Sequence, residues 1–134
     1  MKCCFIGHRD SFGLEKQIYT AIKKLIGEGC TTFYSGGMGN FDQTCERAVK
    51  QLRGKLVFVP YNHKVVKQSD VQWYDEIVCP FGNKAYENTD IPMRNRWLVD
   101  QCDVCLCYVY KNGGAKQTML YANHIGKRII YISK

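Results

Sequence analysis

The sequence has no apolar run approaching the length that crosses a bilayer, which argues against a membrane-spanning protein. Its opening residues, Met1-Lys2-Cys3-Cys4-Phe5-Ile6-Gly7, are too short and too weakly charged to read as a secretory leader. No repeat, linker or low-complexity segment interrupts the 134 residues, so one domain over 1–134 is expected. A chain of that size buries roughly two-thirds of the surface its unfolded form exposes. The expectation is a soluble cytoplasmic protein with no membrane partner. Acidic residues stop at Asp103, whereas Lys111, Lys116, Lys127, Arg128 and Lys134 follow it, so that end of the fold should carry positive potential. A second close Cys or His pair is also lacking. Cys102-Asp103-Val104-Cys105 has the spacing of half a zinc site without the other half, and no metal is expected.

What is present is a net charge of +7 and eight cysteines. The charge favours an anionic partner, and nucleotide, nucleic acid and acidic protein all satisfy it. Cys3, Cys4, Cys105 and Cys107 lie in apolar, strand-like runs where a thiol behaves as a small hydrophobe, so the cysteines read as reduced core residues.

Strand-like and helix-like segments alternate. Lys2 to Ile6, Thr32 to Tyr34, Lys55 to Val59, Glu76 to Cys79, Val104 to Tyr110 and Arg128 to Ile132 read as strands. Leu14, Ile18, Ala21, Ile22, Leu25 and Ile26 recur at helical spacing, as do Phe41, Cys45, Ala48, Val49 and Leu52. Ile91 to Gln101 reads as a helix with Pro92 in its first turn, and Thr118 to Ile125 as the core of a last one. Tyr61 to Tyr74 is ambiguous, and Asn83 to Asp90 reads as a surface loop. Apolar strands joined by amphipathic helices imply an α/β fold, a Rossmann-like three-layer sandwich with a mostly parallel sheet.

In such a sheet ligands sit beyond the carboxyl ends of the strands, and three informative loops fall there. Gly7-His8-Arg9-Asp10 follows the first strand, Ser35-Gly36-Gly37-Met38-Gly39 the second, and Asn112-Gly113-Gly114 the fifth. Glycines at strand-to-helix joints let backbone N–H groups approach a ligand, and the helix that follows adds its positive end, so each is a candidate phosphate-binding loop. Asp42 and Glu46 lie one turn apart at the start of the second helix. Each is a candidate cleft carboxylate, set against a helix-capping role for Asp42 and a solvated one for Glu46. Arg94 is a candidate phosphate ligand, since its planar fork binds two oxygens at once. Asn95 is secondary. His8 reads as a base or a phosphate or ribose contact, Tyr110 as the tyrosine best placed to stack on a base, and Thr118 as a phosphate contact or a packing residue. The three-glycine fingerprint of dinucleotide dehydrogenases is missing after the first strand.

The Gly-His-Arg after strand one, Ser-Gly-Gly-Met-Gly with Asp42, Pro92-Met93-Arg94-Asn95-Arg96 and the Gly113-Gly114 loop together resemble the SLOG superfamily, and within it the small YpsA-like members. The superfamily is similar in fold to the Lonely Guy phosphoribohydrolases and to the DNA-processing protein A domain. The resemblance implies a Rossmann-like domain that binds a nucleotide or nucleotide-derived ligand, commonly as a homodimer. No cofactor is expected. Lonely Guy enzymes carry Pro-Gly-Gly-x-Gly-Thr-x-x-Glu, whose glutamate serves glycosidic cleavage together with an arginine that Arg94 matches. Here the motif begins Asn112-Gly113-Gly114, and Leu120 stands at the glutamate position.

Three functions therefore compete. The first is binding or sensing of a nucleotide-type ligand, favoured by the glycine loops and the missing glutamate. The second is an N-glycoside hydrolase or phosphoribohydrolase acting on a nucleoside monophosphate through a relocated carboxylate, with Asp42, Glu46 and Arg94 as catalytic candidates. The third, nucleic-acid binding, is less favoured because Lys16, Lys23 and Lys24 share no clear face.

Overall fold

The computed structural model describes residues 1–81 and 90–134, with the side chain of Asp90 left aside. Most of the Asn83 to Asp90 loop expected from the sequence lies outside the described residues; Asp90 itself opens a helix. In chain order the elements are β1 (Lys2–Gly7), α1 (Glu15–Gly27), β2 (Thr32–Ser35), α2 (Gly39–Gln51), β3 (Lys55–Phe58), α3 (Gln68–Trp73), β4 (Glu76–Ile77), α4 (Asp90–Gln101), β5 (Val104–Tyr108), α5 (Gly114–His124) and β6 (Arg128–Tyr131). The ambiguous stretch from Tyr61 resolves into a short 3₁₀ turn at His63–Val65 followed by α3.

The six strands form one sheet in the order β4-β3-β2-β1-β5-β6, and every pairing is parallel. The α/β Rossmann-like architecture is thus as expected, with "mostly parallel" sharpened to all parallel. Parallel pairing buries both faces, and alternation along β1 shows how. Cys3 and Phe5 join a core with Ile18, Ile22 and Leu25 of α1 and Phe41, Cys45 and Val49 of α2. Cys4 and Ile6 point the other way, into a core with Leu98 and Val99 of α4 and Ala122 of α5. Seven of the cysteines are buried, Cys79 is exposed, and all eight are free thiols. Among the described residues no group of His, Cys, Asp or Glu could hold a metal ion, and no helix is long and apolar enough to cross a membrane.

The chain steps outward from β1 to β4 and then returns to the other side of β1 for β5 and β6. Strand order reverses between β1 and β5, so the loops leaving these two strands diverge and open a crevice at their carboxyl ends.

Candidate functional site

A cleft of about 220 Å³ occupies that crevice. Gly7, His8 and Arg9 leaving β1, Met38 and Asp42 at the start of α2, Ile91, Arg94, Asn95 and Leu98 on α4, and Gly114, Ala115 and Thr118 at the start of α5 all line it. Four segments far apart in sequence therefore meet there, as the loop positions at one end of a parallel sheet require.

The loop from Ser35 to Gly39 is held from within. Gly37 donates its N–H to Ser35 Oγ at 3.1 Å, and that hydroxyl donates to Glu46 Oε2 at 2.6 Å. Glu46 also accepts from Tyr74 Oη at 2.7 Å and from Trp73 Nε1 at 3.1 Å. Burial raises its carboxyl above the ordinary range, while these three donors oppose the rise. Glu46 is thus a buried anchor behind the loop, neither solvated nor on the cleft wall. Met38 donates its N–H to Asp42 Oδ2 at 3.0 Å, and Asn40 donates its own to the Arg9 carbonyl at 2.9 Å.

The loop glycines make room for protein rather than leaving an open cradle. A Cβ on Gly36 would sit 2.7 Å from the Arg94 guanidinium carbon, and one on Gly37 would sit 2.6 Å from the Phe58 ring. Gly39, at φ +86°, has the Arg9 backbone against it. Gly36 and Gly37 line a second cavity of about 220 Å³ across Met38, together with Phe58, Tyr61 and Lys67. Ser35 is fully buried behind the loop. By contrast, Gly113 (φ +141°) and Gly114 have nothing within 4 Å of a built Cβ, so the α5 lip is open to a ligand. Helix α5 starts within this pair, one turn earlier than the Thr118 core read from the sequence. Thr118 turns its hydroxyl back to the Gly114 carbonyl at 2.9 Å and keeps its place on the wall. Leu120, the counterpart of the Lonely Guy glutamate, is half exposed and does not line the cleft.

Arg94 is only 3% exposed. Its Nη1 donates to the carbonyls of Gly36 at 2.9 Å and Val59 at 3.1 Å, and its Nε to Asn95 Oδ1 at 2.9 Å. Nη2 lies 3.1 Å from Met38 Sδ. The guanidinium, a candidate phosphate ligand from the sequence, clamps the second glycine loop to the end of β3 and also lines the cleft. Arg9 is exposed on the cleft rim. Among the described residues the ion pairs are Lys55–Glu76, Lys111–Asp10 and Arg128–Glu28, so neither cleft guanidinium has a carboxylate within ion-pair reach.

Asp42 is the carboxyl on the wall. Burial pushes it up to about 7, against the opposing pull of the Met38 N–H, Arg94 and Arg9. His8 is buried, and its Nε2 accepts the Tyr110 N–H at 3.3 Å, which leaves the proton of the neutral ring on Nδ1. Burial, helped by the Lys111 charge, lowers its pKa, so the ring stays neutral at physiological pH. Asp10 ties the rim by accepting from Tyr110 Oη at 2.6 Å and Lys111 Nζ at 2.8 Å, contacts that pull its carboxyl down to about 2. Strand β5 ends at Tyr108, so Tyr110 stands beyond it, half exposed, with its ring edge-on to His8 at 4.6 Å.

Sequence reasoning missed the apolar wall of Ile91 and Leu98 and the brace formed by Phe58, Trp73 and Tyr74. The aromatic residues at 73 and 74 were visible, but the segment that holds them had no clear period.

No family model matches the chain, nor does any curated protein sequence. Solved structures do. DNA processing protein A from Streptococcus pneumoniae superposes with a TM-score of 0.79 at 20% identity, over 99% of this chain and 50% of that one. The same protein from Helicobacter pylori, described with its single-stranded DNA binding mode, gives 0.77 at 16% identity, over 100% of this chain and 66% of that one. The molybdenum cofactor binding protein from Rippkaea orientalis gives 0.69 at 17% identity, over 97% and 74%. The chain spans half the length of the pneumococcal protein, and at these identities the likeness concerns the fold. In fold, this chain is similar to DNA processing protein A and to the molybdenum cofactor binding protein.

Proposed function

We propose that the cleft between β1 and β5 binds a nucleotide or nucleotide-derived ligand by its phosphate. The observation that carries this reading is the pair of guanidiniums, Arg9 and Arg94, on the wall of a crevice at the switch point of the sheet, without a carboxylate in ion-pair reach among the described residues. The open Gly113-Gly114 lip adds the positive end of α5, and the half-exposed Tyr110 ring offers a surface for a base. In this role Gly7, His8, Asn95 and Thr118 shape and line the pocket, and Ser35 to Gly39 act chiefly by placing Met38 and Asp42. We expect a homodimer, as the resemblance implies; a monomeric mass in solution at micromolar concentration would count against that.

A thermal-shift screen over nucleoside monophosphates, cyclic nucleotides, ADP-ribose derivatives and a single-stranded oligonucleotide tests the proposal. A ligand at a hundred times its Kd should add about 2.7 kcal/mol to apparent stability, a rise of several degrees. No shift with any nucleotide would sink the reading. An oligonucleotide shift that vanishes with added salt, with none from mononucleotides, would transfer the site to nucleic acid.

Asp42 favours a second reading, hydrolysis of a nucleoside monophosphate at its N-glycosidic bond. A carboxyl raised to about 7 on a cleft wall suits proton transfer and the support of an oxocarbenium-like state. Wild type would then release free base from AMP, and Asp42→Asn would bind AMP without releasing it.

A further inference from the structure

The buried Asp42 carboxyl lines the cleft into which the anion would come. Its Oδ2 accepts the Met38 N–H at 3.0 Å, and Arg9 and Arg94, which line the same cleft, both act on its charge. A phosphate drawn in by those cations therefore meets a resident anion of its own kind. We propose that Asp42 selects the ligand by charge: an anionic group enters the cleft together with one proton, taken from solvent by the Asp42 carboxyl. This rests on the phosphate-binding reading above, and it adds the condition under which that binding occurs.

The geometry leaves few other ways for the site to neutralise. From the β1–α1 loop, Arg9 and His8 face the cleft; Arg9 brings a guanidinium, and burial and the Lys111 charge hold His8 neutral. From α4 comes Arg94, also a guanidinium, with its Nη1 committed to two carbonyls. On α2 itself, burial and the neighbouring Asp42 charge hold Cys45 as a thiol, and Glu46 is committed to three donors on the far side of the loop. Beyond α3, Tyr74 stays protonated, because burial and the Glu46 charge raise its hydroxyl. Among the described residues of the cleft, Asp42, with a carboxyl at about 7, is left as the group that changes charge near neutrality.

Once an anion lies beside it, the bound-state carboxyl is raised further, since a like charge disfavours ionisation. Affinity is then constant at low pH and falls as pH rises through the ligand-free value, by up to tenfold per pH unit. The probe must not titrate itself. Cyclic AMP, a phosphodiester, keeps one charge across the range, whereas the phosphate of AMP ionises near pH 6 and adds a slope of its own.

Calorimetric titration of the full chain with cyclic AMP and with AMP, at pH 6 and pH 8 and in two buffers of different ionisation enthalpy, gives affinity and protons exchanged together. For cyclic AMP we expect binding about tenfold weaker at pH 8 than at pH 6, and uptake of close to one proton per ligand at pH 8. Asp42→Asn should bind equally at both pH values, at the strength wild type shows at pH 6, with no proton taken up. The proton count on wild type needs no variant, so the proposal stands testable even if Asp42→Asn folds poorly. Binding of the same strength at both pH values, or the same pH slope in Asp42→Asn, would overturn the proton linkage while leaving phosphate binding in place. If neither nucleotide binds wild type or Asp42→Asn at pH 6, the phosphate-binding reading itself falls and the linkage falls with it.

Discussion

Replacing Arg94 by alanine should destabilise the protein by about 3 kcal/mol, an effect on folding before any effect on a ligand. Nη1 serves the carbonyls of Gly36 and Val59, and both contacts are buried. Truncation strands these two acceptors, each at a cost of about 1–3 kcal/mol, and opens a void beside Met38 that the surrounding helices close only in part. Arg94→Lys should recover little, because an ammonium on a flexible stem cannot reproduce a fork that spans two carbonyls and Asn95 Oδ1 at once. Urea denaturation gives the answer. A loss under about 1 kcal/mol in Arg94→Ala would mean that the side chain stands free in the cleft as a simple phosphate ligand. The Trp73 indole, bonded to Glu46 behind the same loop, provides a fluorescence signal: loosening of the loop should change Trp73 emission in Arg94→Ala even where the protein remains folded.

That result would add a structural role to the phosphate ligand read at Arg94 from the sequence, and the reason it was not legible is physical. Periodicity fixed which residues of α1, α2 and α4 face inward, because burial of one stripe is a local property of a helix. It also placed the glycine loops at the carboxyl ends of strands, where the parallel order puts them. It could not tell a glycine that admits a ligand from one that admits protein. Gly36 and Gly37 are occupied by Arg94 and Phe58, which arrive from α4 and β3, whereas Gly113 and Gly114 are open. The difference lies in long-range packing that no spacing encodes. Glu46 illustrates the same limit. On a helical wheel it flanks Asp42 and invites the same role, but its three donors come from Ser35, Trp73 and Tyr74, and two of these lie in a segment with no legible period. Asp42 was legible as a cleft carboxyl candidate. Its elevated pKa was not, since that depends on how completely the surrounding elements exclude water.

Asp42→Asn should stabilise the ligand-free protein at pH 8 and leave it unchanged at pH 4. In the folded chain the carboxyl titrates at about 7, and in the unfolded chain at its ordinary value of 3.8, so the native state binds the proton more tightly. A folded-state pKa raised in this way contributes stability that is complete below about 4 and is lost as pH rises through about 7. The difference between the two values corresponds to on the order of 4 kcal/mol, the cost at pH 8 of holding a carboxylate in a buried site. Asparagine carries no charge to bury, and its Oδ1 can keep the bond from the Met38 N–H that Asp42 makes at 3.0 Å. The variant's stability curve should therefore diverge from that of wild type from about pH 4 upward and run parallel to it above about 8. His8 titrates in both proteins, and its lowered pKa shifts both curves alike, so the difference between them isolates Asp42. Curves that coincide at pH 8 would show that the carboxyl titrates near its ordinary value and would remove the basis for proton-linked binding. A difference of the expected size would identify Asp42 as a group that costs the resting fold stability, which is the mark of a residue placed for its chemistry in the cleft.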